Sequence, residues 1–328
     1  MTKRIAVTRA EAGRTVASLL QAHLRLSAVE VRDLVRDRRV RVNGRLCPKS
    51  AWRVRTGWTL EVEPAVPPAS PKQHWKKRAS ANASGIKPIL YYVDAAIVVV
   101  DKPAGLTTMR HAHEAAEFGV RGRRFLPPTL ADLLPGLIAH KTDSRPGRVR
   151  AVHRLDKETS GLVVFARTAE AERHLGRQFR AHTVERRYLA LVRGCPQPGR
   201  IESYLVDDRG DGRRGSTSRP GEGQRAVTHV AVLEDLGDFA LVECRLETGR
   251  THQVRIHLGE QGTPLCGERI YDRPLHGQPL PDASGATRPC LHAASLAVEH
   301  PATGKRMAWS SPLSTDMVEL LDRLRHHS

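Results

Sequence analysis

The sequence predicts an α+β protein, with a small unit of helices and a hairpin followed by a longer strand-rich region. Apolar residues recur with helical periodicity over residues 16–24. From residue 87 onward, short apolar or alternating runs typical of strands follow one another, at 97–100, 162–165, 188–192 and 239–246. Two further helices are predicted in this second region, beginning at Thr168 and Thr251.

Two helices are predicted close to the start of the chain. The apolar face of the first one recurs at i, i+3, i+4, i+7 and i+8, at Val16, Leu19, Leu20, His23 and Leu24. The second is predicted to begin at Ser27, because Glu30 three residues later completes a capping box. Its core-facing residues are then Val31, Leu34 and Val35.

A row of arginines and a basic hairpin follow. Arg32, Arg36 and Arg39 recur at i, i+4 and i+7, and therefore share a helix face. Asn43-Gly44 interrupts alternating residues in the segment 40–46, which is the strongest short signal for a hairpin. A further short strand is predicted at 58–62. A row of charges is often only a solvated surface, but its continuation into Arg41 of the hairpin favours RNA binding.

Proline marks the boundary between two predicted domains. Residues 64–86 contain four prolines and four cations but no acidic residue, a composition typical of a linker. We therefore predict an RNA-binding domain at 1–63, a basic linker at 64–86 and a second domain at 87–328.

The charge of the chain indicates a polyanionic partner. Among its 328 residues, Lys and Arg number 53 and Asp and Glu 35, which gives a net charge of +18. The first 86 residues carry +12 of this charge. Arginine accounts for 43 of the cations, and its planar guanidinium suits phosphate groups and bases. A GC-rich genome is the alternative explanation for the arginine bias, but not for its uneven placement.

Several other classes of protein are disfavoured. No apolar run approaches the roughly 20 residues of a membrane helix, and the first residues lack the apolar segment of a secretory signal. The five cysteines are scattered without a CxxC pair, which argues against a disulfide scaffold or a zinc finger. We therefore expect a monomeric cytoplasmic protein that binds RNA and no membrane.

Within the second domain, the run Ile97–Val100 is predicted to be a buried strand that ends in a turn at 101–105. Residues 110–149 are predicted to be irregular, because Pro and Gly interrupt them repeatedly. The Gly- and Arg-rich segment 208–224 is predicted to be a mobile hairpin tip. A helix is predicted at 251–258, with Thr251 as its cap.

The strongest candidate for chemistry is Asp156 in the segment HRLDKETSGLVVFAR, residues 153–167. It lies in a predicted polar turn between two apolar strands, with Arg154 and Lys157 close by. Neighbouring cations favour an ionised carboxylate, which is then available as a nucleophile or a base. The spacing alone also fits an aspartate that merely caps a turn.

This segment closely resembles the catalytic motif of the RluA-type pseudouridine synthases, which reads HRLDxxTSGxxxFA. Other family motifs follow in order between residues 88 and 312: IVVVDKPAGL, RRYLALVRG, LETGRTHQVRIHL, GERIYD and LHAASLAVEHPATGK. The N-terminal segment RDLVRDRRVRVNGR resembles an S4 RNA-binding domain. The resemblance implies a pseudouridine synthase fold, with a mixed, largely antiparallel sheet, flanking helices and a catalytic cleft, preceded by a small S4-like domain.

The resemblance also implies roles for single residues. Asp156 is then the aspartate that attacks the target uridine, and Tyr188 packs against the uracil ring. Arg255 pairs with the aspartate, and Arg154 fills the gap left by the extruded base. Large-subunit ribosomal RNA is the favoured substrate and transfer RNA the other possibility. Uridine isomerisation involves neither redox change nor hydrolysis, so we expect no cofactor and no metal.

Two rival functions are open at this point. A non-catalytic RNA-binding or ribosome-assembly protein could use the same scaffold, although it need not keep Asp156, Tyr188 and Arg255 together. A glycoside-type hydrolase would need a second placed acid, and Glu158 is expected to point elsewhere.

The chain departs from the family pattern at two positions near these motifs. Arg186 stands where the family often has Lys, and Glu268 replaces a common Asp, from which we expect little consequence. His252 and His257 are predicted to lie on different faces of a helix, as structural or RNA-facing residues and not as a zinc pair.

Overall fold

The computed structural model describes residues 3–24, 26–27, 30–31, 34–35, 39–47, 50–63, 87–110, 126–143 and 147–326. The chain forms two compact units, one within residues 1–81 and one within residues 82–328. The predicted linker, 64–86, lies outside the described residues, so the predicted domain limits stay a prediction. None of the helices in the described part of the chain has the length and apolar composition of a membrane span.

The first unit contains a four-stranded antiparallel sheet and a helix. Its strands are β1 Lys3–Ala6, β2 Val40–Val42, β3 Arg45–Leu46 and β4 Thr59–Val62, in the order β1-β4-β2-β3. The helix α1 covers Val16–Leu24, and a short 3-10 turn covers Arg9–Glu11. Val16, Leu19 and Leu20 are fully buried, which confirms the predicted apolar face at these three residues, and Leu24 is half-buried. His23 does not belong to this face, because it is exposed and contacts the Glu11 carboxylate.

The predicted capping box and hairpin are also confirmed. The backbone N–H of Ser27 donates to the Glu30 carboxylate over 2.7 Å, and the N–H of Glu30 donates to Ser27 Oγ. The described residues beyond this cap, Glu30, Val31, Leu34 and Val35, are helical. Asn43 and Gly44 have φ angles of 49° and 76°, and positive φ at both positions is what a tight hairpin turn requires.

The second unit is built on an eleven-stranded sheet. Its strands are β5 Ile89–Val93, β6 Ile97–Lys102, β7 Arg150–Ala151, β8 Ser160–Ala166, β9 Glu185–Arg193, β10 Gly199–Val206, β11 Gly215–Ser216, β12 Gln224–Asp235, β13 Phe239–Leu246, β14 Leu291–Glu299 and β15 Arg306–Ser310. The main order is β11-β10-β12-β13-β9-β14-β8-β6-β5, with β15 on β14 and β7 on β8. In the part of the chain that the structure describes, only β14 and β8 pair in parallel, so the predicted mixed, largely antiparallel sheet is confirmed.

Four helices accompany this sheet: α2 Leu130–Thr142, α3 Ala169–Arg180, α4 Gln253–Glu260 and α5 Thr315–Arg325. Helix α3 begins directly after Thr168, whose side chain accepts a hydrogen bond from the Ala171 N–H, as predicted. The buried residues of the sheet form apolar clusters on both of its faces, with Val98, Val100, Val163 and Phe165 in one cluster and Ile97, Val99, Leu162 and Val164 in another. The fully apolar run at 97–100 therefore reflects a strand buried on both faces.

The prediction that residues 110–149 are irregular is wrong for α2. Thr129 caps this helix in a reciprocal capping box with Asp132, and Leu130, Leu134 and Ile138 are buried at a four-residue spacing. Pro135 lies inside the helix and leaves one backbone hydrogen bond unmade. Tertiary burial of the leucine face outweighs that local cost, which the sequence pattern alone overstated.

The predicted start of α4 is also wrong. His252 has a left-handed backbone with φ of 60°, so the right-handed helix begins only at Gln253 and Thr251 does not cap it. The segment 208–224 connects the antiparallel strands β10 and β12, which confirms the predicted hairpin tip, and its predicted mobility stays a prediction. It contacts the sheet and α4. Gly215–Ser216 pairs with β10, and the Arg209 guanidinium contacts Asp211 and Glu260.

Candidate active site

One pocket of about 440 Å³ in the second unit contains the predicted catalytic residues. Its wall comes from the loop between β7 and β8, from α3, from β9 and from the start of α4. Asp156, Tyr188, Arg255 and Arg154 all line it. The fold therefore brings together four residues that are up to 101 positions apart in the chain.

Asp156 lies in the loop that leads into β8. One of its carboxylate oxygens, Oδ2, is 3.6 Å from Nη1 of Arg255, and Oδ1 is 3.7 Å from Nε2 of His252. Both groups therefore lie near the carboxylate while its side chain stays partly exposed to the pocket. The guanidinium is a permanent cation, so the pocket places a positive charge beside this carboxylate.

The buried amine of Lys102 ties this loop to the strand before it. Its Nζ donates to the carbonyl oxygens of Pro103, Leu106 and Lys157 over 3.0, 2.8 and 3.0 Å. The N–H of Gly105 donates to the same Lys157 carbonyl. Burial lowers the pKa of Lys102 to about 7, and the nearby carboxylates of Glu158, Asp156 and Asp101 oppose this shift. The backbone next to Asp156 is thereby held in one conformation.

A close approach of two strands explains the glycine after the catalytic loop. Gly161 has a φ of 109°, and a Cβ at this position would lie 2.4 Å from the carbonyl oxygen of Ala293. Gly161 and Ala293 are register partners in the parallel pairing of β8 and β14. Any side chain here would separate the strands that position the loop.

Tyr188 contributes a buried aromatic ring to the pocket wall. It lies on β9, is 8% exposed and packs in the main apolar cluster of the sheet. Burial raises the pKa of its phenol, with Arg186 opposing the shift. The ring is therefore a neutral, apolar platform at neutral pH.

Arg255 is held by a residue for which the sequence analysis predicted no role. Its Nε and Nη2 donate to the two carboxylate oxygens of Glu268 over 2.7 and 2.8 Å, and the Glu268 side chain is 0% exposed. Although burial opposes ionisation of Glu268, the hydrogen bonds from Arg255 and from the backbone leave its pKa below the usual value. The motif GERIYD points to this position, but only the tertiary structure shows the ion pair.

The two histidines near α4 have different surroundings. His252 lines the pocket, with Nδ1 2.6 Å from the Tyr271 hydroxyl. His257 is buried and hydrogen-bonds the hydroxyl groups of Ser203 and Thr228. Its burial and these hydrogen bonds indicate a structural role. Burial lowers the pKa of His257 to about 4. Among the described residues, no group of three or more His, Cys, Asp or Glu side chains is arranged to hold a metal ion.

The predicted RNA-binding arginines of the first unit are only partly described. Arg41 is exposed on β2, and its Nη1 donates to the Gly44 carbonyl. Arg39 is half-buried, and its Nη2 donates to the Glu63 carbonyl. Arg32 and Arg36 lie outside the described residues, so the predicted row stays a prediction.

Comparison with known proteins gives consistent matches. Residues 96–260 match the family model described as RNA pseudouridylate synthase. The chain is 39% identical over 242 residues to a "Ribosomal large subunit pseudouridine synthase D" of Neisseria meningitidis serogroup B, which covers 72% of this chain and 61% of that protein. It is 35% identical over 308 residues to the "Uncharacterized RNA pseudouridine synthase YlyB" of Bacillus subtilis, which covers 91% and 90%.

A solved structure agrees in fold. The human protein "RNA Pseudouridylate Synthase Domain Containing 4" superposes with a TM-score of 0.57 at 25% identity, over 77% of this chain and 97% of that one. This match confirms the predicted pseudouridine synthase fold, and the S4-like domain before it stays a prediction. The chain spans about three fifths of the length of the first curated relatives it matches.

Proposed function

The chain belongs to the RluA-type family of RNA pseudouridine synthases, and from that premise we propose that it isomerises uridines in RNA to pseudouridine. The convergence of Asp156, Tyr188 and Arg255 in one pocket is the observation that carries this proposal. Large-subunit ribosomal RNA is the proposed substrate, because the relative from Neisseria meningitidis is named for it.

The chemistry makes three demands on the protein. The N1–C1′ bond of the uridine breaks, the uracil turns, and C5 bonds to C1′, while C5 loses a proton and N1 gains one. The product is an isomer of the substrate, so no oxidant, reductant or water is consumed. The reaction therefore requires a nucleophilic carboxylate, a flat surface for the detached base and a site from which water is excluded.

Asp156 is proposed to supply the carboxylate, which attacks the target uridine. Arg255, with Nη1 3.6 Å away, is proposed to orient that carboxylate through their ion pair. Tyr188 supplies the platform, and stacking on an aromatic ring is worth about 1–3 kcal/mol per base.

The target base has to leave its stack before it reaches this pocket, at a cost of a few kcal/mol. Arg154 is exposed and lines the pocket next to Asp156. We propose that its guanidinium occupies the space that the base leaves in the RNA, since a planar cation stacks on neighbouring bases. This contact would offset part of the unstacking cost.

The composition of the pocket wall disfavours the two rival functions. Five arginines and one carboxylate, Asp156, line the pocket in the part of the chain that the structure describes. A hydrolase that uses paired carboxylates would need a second acid in the wall, and Glu158 is not part of it. A purely RNA-binding protein would gain nothing from an aspartate among the arginines of this pocket wall.

The proposal also covers the first unit, the oligomeric state and the cellular location. We propose that residues 1–63 form an S4-like RNA-binding domain, that the protein works as a monomer, and that it acts in the cytoplasm. The net charge of +8 in residues 1–63 supports the RNA-binding part of this proposal.

The test maps pseudouridines in ribosomal and transfer RNA from cells that carry the gene, lack it, or carry a variant. We expect one or more large-subunit sites to disappear without the gene and with Asp156→Asn, which keeps the size of the side chain but removes the nucleophile. Glu158→Gln, in the same turn but outside the pocket, is the matched control and should restore the sites.

The outcomes separate the parts of the proposal. Full modification with Asp156→Asn would reject the role of Asp156. Loss of sites from transfer RNA alone would leave an isomerase with a different substrate. No change in any RNA without the gene would reject the proposed function.

A further inference from the structure

Arg186 is a buried cation in the wall of the same pocket. It lies on β9 two residues before Tyr188, so both side chains point to one face of the sheet. The residue is 7% exposed and lines the pocket together with Asp156. The proposed reaction assigns it no role.

The guanidinium of Arg186 has no carboxylate partner among the described residues. Nη2 donates to the Glu247 carbonyl over 3.2 Å, the guanidinium carbon lies 5.6 Å from the centre of the Phe179 ring, and Nε is buried without a partner. Three other arginines in the described chain are buried, and each pairs with a carboxylate: Arg193 with Asp282, Arg255 with Glu268, and Arg288 with Asp316.

An isolated buried charge is expensive, because water no longer solvates it and no counterion replaces the water. Burial accordingly lowers the pKa of Arg186 from its usual range. The surrounding backbone nevertheless leaves room for this group, since a Cβ on Gly249 would lie 2.3 Å from Nη1 of Arg186. The fold therefore retains a cation that no carboxylate of the described residues neutralises.

The environment points to an anionic ligand. Arg154, Arg180, Arg250 and Arg255 line the pocket beside Arg186, and Asp156 is the one acidic side chain in the described wall. Phosphate groups are the anions that RNA brings into such a pocket, and guanidinium groups bind them with charge-assisted hydrogen bonds.

We propose that Arg186 binds a backbone phosphate of the nucleotide whose base lies against Tyr188. The inference rests on the proposed function, because it takes the pocket to hold a uridine of an RNA strand. The phosphate then serves as the counterion that the described residues do not provide. Binding of the target nucleotide thereby reduces the free-energy cost of the buried charge. Arg186 thereby acts in binding the substrate, while Asp156 acts on its bonds.

The test compares uridine, uridine 5′-phosphate and uridine 3′-phosphate as ligands of the full chain, by calorimetry or ligand-detected NMR. We expect the wild-type chain to bind one of the phosphates roughly tenfold or more tightly than uridine, as for a hydrogen bond to a charged group. Arg186→Met, which keeps an unbranched apolar side chain but removes the charge, should abolish this preference. The ligand that binds more tightly than uridine, the 5′-phosphate or the 3′-phosphate, identifies which phosphate of the nucleotide Arg186 contacts.

Arg187→Met is the matched control. Arg187 is the next residue on β9, its side chain is 50% exposed, and it lies 3.7 Å from Glu243 and outside the pocket wall. This variant removes the same charge from the other face of the sheet and should keep the preference. Arg186→Lys should retain part of the preference, because it keeps a cation at the site.

Thermal unfolding distinguishes a role of Arg186 in ligand binding from a role in stabilising the fold. Removal of an unpaired buried cation should leave the unfolding temperature of Arg186→Met unchanged or higher. Loss of the preference together with a clearly lower unfolding temperature would assign Arg186 to the scaffold and overturn the proposal. So would a preference that survives in Arg186→Met, or equal or absent binding of the three ligands by the wild-type chain.

These outcomes do not depend on turnover. A phosphate preference that requires Arg186 in a chain that forms no pseudouridine would reject the proposed function and leave the phosphate site standing. Pseudouridine formation by a wild-type chain that shows no phosphate preference would reject the phosphate site and leave the proposed function standing.

Discussion

Arg255 forms ion pairs with two carboxylates, Glu268 through Nε and Nη2 and Asp156 through Nη1. The contacts to Glu268 are 2.7 and 2.8 Å, whereas the contact to Asp156 is 3.6 Å. Glu268 also accepts hydrogen bonds from the backbone N–H groups of Arg269, Ile270 and Tyr271. The proposed nucleophile thus faces a guanidinium whose orientation is set by a different residue.

Glu268→Gln should therefore lower kcat by about 10- to 100-fold with little change in KM, because a misplaced Arg255 no longer orients Asp156. Glu268→Asp keeps the charge and should rescue most of the loss. Single-turnover assays on the RNA identified by pseudouridine mapping would measure both variants. An unchanged kcat in a folded Glu268→Gln chain would show that Arg255 needs no support from this residue.

Lys102→Met should destabilise the second unit. The substitution keeps the buried apolar stem but leaves the carbonyls of Pro103 and Leu106 without the Nζ donor, while the Lys157 carbonyl keeps only the N–H of Gly105. Unpaired buried groups cost about 1–3 kcal/mol each, and partial relaxation suggests a total loss of about 2–4 kcal/mol in the free energy of unfolding. Urea titration measures it, with Lys157→Met as control, since the Lys157 side chain is exposed. Equal stability of the two variants would contradict the role of the amine.

Acid should destabilise the second unit between pH 6.5 and about 3. Burial lowers the pKa of His257 to about 4 and, with a contribution from Arg186, that of His153 to about 3, from a usual value of 6.5. Below pH 6.5 the unfolded chain binds protons that the folded chain does not. The contribution of these histidines to the free energy of unfolding is therefore fully present above pH 6.5 and decreases as the pH is lowered.

The expected size is about 1–3 kcal/mol per histidine, from 1.36 kcal/mol for each unit of pKa difference. Urea titrations at pH 7 and pH 4.5 would measure it. His257→Gln, which can still hydrogen-bond the hydroxyls of Ser203 and Thr228, should show a smaller fall in stability than the wild-type chain. An identical fall in both proteins would show that His257 does not titrate in this range.

Replacement of the predicted RNA-binding arginines by Gln should weaken RNA binding and reduce its salt dependence. The set is Arg32, Arg36, Arg39 and Arg41, and each phosphate contact contributes about one unit to the slope of log affinity against log salt concentration. A slope that does not change would mean that these arginines form only a solvated surface.

The control replaces an equal number of ion-paired surface arginines by Gln: Arg4, Arg219, Arg306 and Arg325. It lowers the net charge by the same amount, and surface ion pairs contribute little to stability. A slope that falls equally in both variants would assign the effect to total charge.

The sequence by itself determined what depends on neighbours in the chain. The apolar face of α1, the capping box at Ser27, the turn at Asn43-Gly44 and the strand at Phe239–Leu246 all follow from local periodicity or turn chemistry, and the structure agrees with each. The motif around Asp156 indicated the family for the same reason, since it is a continuous segment.

Only the tertiary structure decided what depends on residues distant in the chain. Helix α2 forms despite Pro135 because its leucine face is buried, and α4 begins one residue later than His252 because that residue packs in the pocket with a left-handed backbone. The pairing of Arg255 with Glu268 and the isolation of Arg186 likewise follow from packing. Burial removes water from these charges, so their energy depends on which side chains surround them, and no local pattern records that.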